Sequence, residues 1–276
     1  MQSINVQCPA KINLNLKITG KLENGYHAIE SVMQTISLYD YLTIEIHDSD
    51  KNEIILSGNN NQITYDETNL VYKAAKLYLE TTGIKNKKID IYIEKNIPVA
   101  AGMGGGSTDS AGVLYGLNKI FLCVDIKNLD KLCAKLGSDL NVCFHGGRIL
   151  ARGRGEIITP LEFEEFNVSL IKPINLGISA KEAYTKFSQK NNIPFTLQSA
   201  AFSSQGREKR EDYVNDLEWA VIEDYPQLQH IKQKYPQSVM TGSGSTYFII
   251  NNEFEQETGY WVKNNLKAIN FGVKEI

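Results

Sequence analysis

Apolar and polar residues repeat along this chain at two periods, and the period changes from one segment to the next. Between residues 11 and 18, Ile12, Leu14, Leu16 and Ile18 alternate with Lys11, Asn13, Asn15 and Lys17. A period of two puts one face of a strand on a core and leaves the other for solvent or a ligand. Residues 32–38, 41–47 and 53–57 read as further strands, divided by Asp40 and by the turn-forming Asp48-Ser49-Asp50-Lys51-Asn52. That order predicts a meander rather than a βαβ unit. Leu70, Ala74, Leu77 and Tyr78 then fall at helical spacing, which predicts a helix over 69–80, capped by Thr68 and ended by Gly83. Ile89, Ile91 and Ile93 return to period two, Pro98 opens a glycine-dense loop, and 107–118 has the composition of a helix. A short helix over 128–136 closes at Gly137, and 147–151 with 156–159 form a hairpin.

Past Pro160 the helical segments lengthen, over 180–189, 213–225 and 226–235, and alternate with strands at 167–172, 238–240 and 246–250. Strands followed by segregated helices indicate an α+β fold with antiparallel sheets covered on one face. The change of pattern places a boundary near 160–166, giving domains 1–162 and 163–276. Residues 203–212, polar and mixed in charge, read as a surface loop.

Composition narrows the class. The chain has 276 residues, 29 basic and 32 acidic, a net charge of -3, with 42% hydrophobic residues. A disordered, collagen-like or coiled-coil chain is excluded. No run approaches the ~18 apolar residues of a membrane span, and the first residues lack a charged and then apolar signal, so the expectation is a cytoplasmic protein. Mild acidity argues against a broad nucleic-acid footprint. Cys8, Cys123, Cys133 and Cys143 are too few and too scattered for a disulfide scaffold and contain no Cys-x-x-Cys pair. They are expected as reduced core residues. His27, His47, His145 and His230 form no metal-binding set.

The densest chemical signal lies at 102–112, where five of the 21 glycines fall between a strand and a helix. Such a loop can bring backbone N–H groups close to an oxyanion, and the first turn of the helix adds about half a positive charge. Phosphate is the natural guest; a flexible turn is the plain alternative. The lysine of a Walker loop is missing after Gly106, and Ser107 stands where a dinucleotide fingerprint needs glycine. A hydroxyl there suits a phosphate or its magnesium ion. A second glycine turn, 241–246, reads equally as a tight hairpin or a phosphate contact. Lys11 and Asn13 stand on the polar face of the first strand, where neither helps a core. Asp139, just after Gly137, can cap the next helix or act as a base.

In this order, Pro9-Ala10-Lys11-Ile12-Asn13-Leu14, Gly25-Tyr26-His27, Pro98-Val99-Ala100-Ala101-Gly102-Met103-Gly104-Gly105-Gly106-Ser107-Thr108-Asp109, Gly137-Ser138-Asp139 and Thr241-Gly242-Ser243-Gly244-Ser245 resemble the GHMP superfamily of small-molecule kinases. The likeness spans nearly the whole chain. Gly25-Tyr26-His27 and Gly153-Arg154-Gly155-Glu156 are similar to the branch whose substrate is 4-diphosphocytidyl-2-C-methyl-D-erythritol, phosphorylated on its 2-hydroxyl.

The resemblance implies a two-domain α+β fold with ATP and substrate in the cleft between the domains. It implies that residues 98–108 wrap the ATP phosphates, with Asn69, Leu70 and Lys95 on the adenine side. Asp139 would take the hydroxyl proton, with Lys11 beside it against negative charge. Tyr26 and Tyr184 would stack on the two sides of the cytosine, His27 would meet its edge, and Asn13, Gly242, Ser243 and Gly244 would serve the rest of the substrate. Mg2+ would arrive with the ATP phosphates, Ser107 being its candidate protein ligand, without a protein metal cage. The protein would act as a monomer or homodimer, with no nucleic-acid or membrane partner. The pattern departs from the superfamily at Asn141, where proline is usual, and at Ala180, where threonine is frequent; Met103 and Thr108 are milder changes. Two alternatives stay open: a kinase of the same superfamily for mevalonate, homoserine or a sugar, and a non-catalytic nucleotide- or RNA-binding module. The joint presence of Lys11 and Asp139 argues against the second.

Overall fold

The computed structural model describes residues 1–191 and 214–276; the surface-loop reading of 203–212 and the start of the helix expected from 213 fall outside them. The element order is β1 (Gln2–Asn13), β2 (Lys17–Lys21), β3 (His27–Asp48), β4 (Glu53–Gly58), α1 (Leu70–Thr82), β5 (Lys87–Glu94), α2 (Gly105–Phe121), α3 (Ile126–Leu136), α4 (Leu140–His145), β6 (Arg148–Gly153), β7 (Ile157–Pro160) and β8 (Asn167–Pro173). Then come α5 (Ala180–Lys190), α6 (Asp216–Val221) running into a 3-10 turn (Ile222–Asp224), α7 (Pro226–Lys234), β9 (Val239–Met240), β10 (Tyr247–Ile250), β11 (Tyr260–Lys267) and β12 (Lys274–Glu275).

Two sheets organise these elements. In the larger, β12-β1-β3-β5-β4 lie side by side, with β2 and β6 on β3 and β7 on β6; the smaller is β11-β8-β10-β9. All described pairings between these strands are antiparallel except β4 with β5, which is parallel across α1; Leu16 and Asn215 form an isolated parallel bridge. The first half is therefore not a pure meander: β4, α1 and β5 make a parallel crossover, and the large sheet is mixed. The C-terminal β12 pairs with β1, so the end of the chain returns to the first sheet.

Asp40 does not divide two strands. β3 runs through it for 22 residues, because the carboxylate is buried among donors and needs no water: it takes hydrogen bonds from the backbone N–H of Asn96 and Ile97 and from Lys95 Nζ. The strand bends instead at Ser37 and Leu38, which are left over between the pairs Ala10↔Ile36 and Pro9↔Tyr39. One side of the bend pairs with β6 and the other with β5.

The alternation of residues 11–18 does not continue as one strand either. It breaks at Leu14–Leu16, where Asn15 Oδ1 accepts from Val32 N (2.7 Å) and Leu16 bonds Val214 O and Asp216 N across 2.9 Å each. The partner segment lies some 200 residues away, so nothing local announces the break. In α1 the cap is Asn69, whose Oδ1 accepts from Val71 N at 2.9 Å; Thr68 instead hydrogen-bonds Asp66. Gly83 ends the helix with a left-handed φ of 70°. All four cysteines are free thiols, but only Cys8, Cys133 and Cys143 are buried; Cys123 is exposed just past the end of α2, so the expectation of four core cysteines fails there. No described helix is long and apolar enough to cross a membrane.

Among the described residues, three apolar clusters hold the fold. One lies between the large sheet and α1–α4; another packs α5–α7 against the small sheet and against Ile18, Ile29, Met33, Ile149 and Ala151 of the large one. The third also joins the sheets: Ala10, Ile12, Ile36 and Leu38 of the first meet Val168, Leu170, Phe248 and Leu266 of the second. Ile97, Ala101 and Met103 of the glycine-rich segment belong to this seam. Burying Met103 alone contributes about 2 kcal/mol. The loop is thus pinned by its apolar side chains, while its glycines stay free to offer backbone.

Candidate active site

A cavity of ≈ 680 Å³ opens beside the seam. Among the residues the sequence singles out, it brings together Lys11 and Asn13 from β1, Tyr26 and His27 from the approach to β3, Gly102, Gly104 and Ser107 from the glycine loop, Asp139 before α4, Tyr184 from α5, and Gly242 and Ser243 from the second turn.

Lys11 and Asn13 end β1 on the face the alternation assigns to polar groups, yet both are buried. Lys11 Nζ donates to Asn13 Oδ1 at 2.7 Å and lies 3.2 Å from Asp139 Oδ2. Asn13 is held in turn: its Nδ2 donates to Ser31 Oγ (2.9 Å), and its backbone N–H donates to Thr241 Oγ1 (2.9 Å). Asp139 occupies the N-cap position of α4 but makes no side-chain cap bond. Its carboxylate turns to Lys11. Asn141, the departure from proline, donates from Nδ2 to Glu156 O at 3.0 Å and leaves that pairing in place.

The glycine loop meets the site through its backbone. Lys11 N–H donates to Met103 O at 3.0 Å, and Gly104 N-caps α2 with φ 73° and no side-chain cap. Thr108 N–H to Gly104 O, 2.8 Å, is the first bond of the helix, so the N–H groups of Gly105, Gly106 and Ser107 precede the intrahelical ladder and point outward. A Cβ at Gly104 would lie 3.1 Å from Lys11 Cγ, and one at Gly102 would lie 2.1 Å from Thr241 O. Only glycine allows this approach of loop, strand and second turn.

At the other end of the cavity, His27 stacks on Tyr184 with ring centroids 5.0 Å apart and planes 18° from parallel. Its Nε2 lies 2.8 Å from Ser188 Oγ. Burial, with Lys21 adding to it, holds the imidazole below its usual pKa of 6.5. At neutral pH one ring nitrogen is then a donor and the other an acceptor. Tyr26 is 57% exposed at the rim, with the Arg154 guanidinium 5.3 Å from its ring centroid.

Other singled-out residues lie elsewhere. Pro98, Val99 and Ala100 line a second cavity, ≈ 790 Å³, shared with Tyr260 and Trp261 of β11. Asn69 caps α1, and Leu70 packs on the first core. Lys95 directs its ammonium to Asp40 and Asp109. Burial pushes the Asp109 carboxyl up to about 8 against the opposing charge of Lys95. Among the described residues, no group of three His, Cys, Asp or Glu could hold a metal ion.

Residues 69–148 match the family model of the GHMP kinases N terminal domain. A 4-diphosphocytidyl-2-C-methyl-D-erythritol kinase of Clostridium tetani is 41% identical to this chain, covering 89% of the chain and 90% of the relative. The chain belongs to the 4-diphosphocytidyl-2-C-methyl-D-erythritol kinase family. A crystal structure of 4-(cytidine 5'-diphospho)-2C-methyl-D-erythritol kinase superposes with a TM-score of 0.70 at 26% identity, over 96% of this chain and 99% of that one. A homoserine kinase from Cytophaga hutchinsonii gives the same TM-score at 17% identity, over 100% and 98%, a likeness of fold alone. The chain is an ATP-dependent small-molecule kinase with the GHMP α+β architecture.

For this kinase family member, sequence reasoning passed over several groups that complete the site. Ser31 and Thr241 hold Asn13, Ser188 holds His27, and Arg154 covers Tyr26. Thr241 lies 228 positions from Asn13 and Ser188 lies 161 from His27, so no local spacing could connect them. Arg154 and Thr241 did carry a signal, as parts of Gly153-Arg154-Gly155-Glu156 and Thr241-Gly242-Ser243-Gly244-Ser245, but without an assigned role.

Proposed function

We propose that this kinase transfers the γ-phosphoryl group of ATP to the 2-hydroxyl of 4-diphosphocytidyl-2-C-methyl-D-erythritol, a step toward isoprenoid precursors, and that it does so in the cytoplasm. The observation that carries the reading is the Lys11–Asp139 pair, 3.2 Å apart, on the wall of a cavity with a free helix N-terminus on one side and a stacked His27–Tyr184 pair on the other. Asp139 takes the hydroxyl proton, the substrate oxygen attacks the γ-phosphorus, and the bond to the bridging oxygen breaks to release ADP. Lys11, oriented by Asn13, offsets the negative charge on the transferring group. Positioning and charge neutralisation are what phosphoryl transfer chiefly requires of a protein. The amides of Gly105, Gly106 and Ser107, with the positive end of the α2 dipole, receive the phosphates.

Mg2+ fits as an ion carried by ATP, because Ser107, a hydroxyl residue in the first turn of α2, lines the cavity. When bound it neutralises phosphate charge. In this reading residues 1–162 form the ATP-binding domain and 163–276 the second domain, and His27, Tyr184 and Tyr26 select the cytosine.

Purified protein supplied with Mg-ATP and 4-diphosphocytidyl-2-C-methyl-D-erythritol should form one phosphorylated product per ADP, with cytidine diphosphate competing. Turnover of mevalonate or homoserine without such competition would overturn the substrate assignment. A finer check comes from His27→Ala. Losing a base-edge hydrogen bond and a stacked partner should raise KM for the cytidine substrate by roughly 10- to 100-fold, from about 1.5–3 kcal/mol, with KM for ATP unchanged. Equal rises in both constants would remove His27 from cytosine recognition.

A further inference from the structure

The glycine loop leaves the large sheet just after β5 and ends in the first turns of α2. Both ends meet one buried ion cluster. Lys95 Nζ donates to Asp40 Oδ2 and, at 2.7 Å, to Asp109 Oδ2. Asp40 Oδ1 accepts the N–H groups of Asn96 (2.6 Å) and Ile97 (2.8 Å), the residues leading into Pro98. Lys95 N–H is itself fixed on Asn59 Oδ1 at 2.8 Å. The side chains of Lys95, Asp40 and Asp109 are 3%, 0% and 3% exposed, and none of them lines the site cavity. A Cβ at Gly105 would stand 3.1 Å from Lys95 Nζ and 3.7 Å from Asp40 Oδ2, so the first residue of α2 rests directly on the cluster.

We propose that Asp40, Lys95 and Asp109 form a clasp that ties the two ends of the glycine loop together, and that Lys95 serves ATP binding as a positioning residue through this clasp rather than by touching the nucleotide. The inference rests on the reading of residues 98–108 as the phosphate bed and deepens it. One ammonium shared by two buried carboxyl groups is a stiff joint, because moving either one away leaves a buried polar group without its hydrogen-bond partner in a site closed to water. The ends of the loop are 14 positions apart at Lys95 and Asp109, and five of its residues, Gly102, Gly104, Gly105, Gly106 and Ala100, are glycine or lie at positive φ. Such a segment has little stiffness of its own. The clasp supplies it from beneath, and with it the alignment of amides that an anion needs.

The test is initial-rate kinetics with ATP and the alcohol substrate varied separately. Lys95→Met should raise KM for ATP roughly tenfold or more, with KM for the alcohol substrate within about twofold of wild type. Lys95→Met strands two carboxylates and can fail to fold, so Asp109→Ala is the second variant: it leaves the Lys95–Asp40 pair whole and frees only the helix end of the loop. Asp109→Ala should raise KM for ATP roughly fivefold or more, again selectively, and Asp109→Asn, which keeps an oxygen for Lys95, should recover most of that loss. An Asp109→Ala enzyme with wild-type KM for ATP overturns the clasp, and so does an equal rise in both KM values, which would mark a merely structural cluster. Failure of the phosphate-bed reading itself would register separately, as a Gly104→Ala enzyme with unchanged KM for ATP.

Discussion

Asp139→Asn is expected to lower kcat by roughly two to four orders of magnitude, the range for loss of a positioned general base, while KM for ATP stays near its wild-type value. The substitution keeps the volume of the side chain and an oxygen for Lys11, so the polar floor of the cavity survives. What it removes is the group proposed to accept the hydroxyl proton. Helix α4 should be unaffected, because the Asp139 carboxylate makes no cap bond there; thermal stability within about 2 °C of wild type would agree with a loss worth under 1 kcal/mol. Single-turnover measurement of phosphorylated product separates chemistry from product release. Near-normal turnover would reduce Asp139 to a partner that merely orients Lys11.

Gly102→Ala should combine a stability defect with loss of ATP binding. Gly102 has φ 73°, and the added Cβ would stand 2.1 Å from the carbonyl oxygen of Thr241. A left-handed alanine costs about 1–2 kcal/mol and a forced overlap with backbone about 1–3 kcal/mol. The sum, roughly 2–5 kcal/mol, corresponds to a fall in Tm on the order of 10 °C for a chain of this size. The damage would also be local to function. Thr241 Oγ1 lies 3.3 Å from Gly102 O and takes the N–H of Asn13, so displacing the turn disturbs the glycine loop and the Lys11–Asn13 strand at once. Calorimetry together with ATP titration checks both parts. An alanine enzyme with wild-type Tm and affinity would mean that the loop and turn do not close on each other in solution.

Local elements were readable wherever a short-range rule governs them. The period-two run of Ile89, Ile91 and Ile93 became β5, Gly83 and Gly137 ended α1 and α3, and the hairpin around Gly153-Arg154-Gly155-Glu156 formed as β6 and β7. Readings failed where a distant partner outweighed a local signal. Asp40 looks like a strand breaker until Lys95, Asn96 and Ile97 bind its carboxylate. Residues 53–57 looked like the last strand of a meander because the parallel pairing of β4 with β5 has no local mark. The break at Leu16 depends on Val214 and Asp216.

The chain's residues alone determined the chemistry on offer: a glycine-rich loop ahead of a helix, an amine and a carboxylate, and an aromatic and imidazole cluster, in an order shared with one kinase superfamily. Tertiary structure decided which of these groups meet. Lys11 reaches Asp139 across more than a hundred positions, His27 lies on Tyr184, and Lys95 is drawn beneath the loop to two carboxylates. The reason is physical: backbone preference and hydrophobic period act over a few residues, whereas ion pairs, ring stacking and the burial of polar groups depend on distance in space, which exists only once the two sheets have closed on their shared apolar seam.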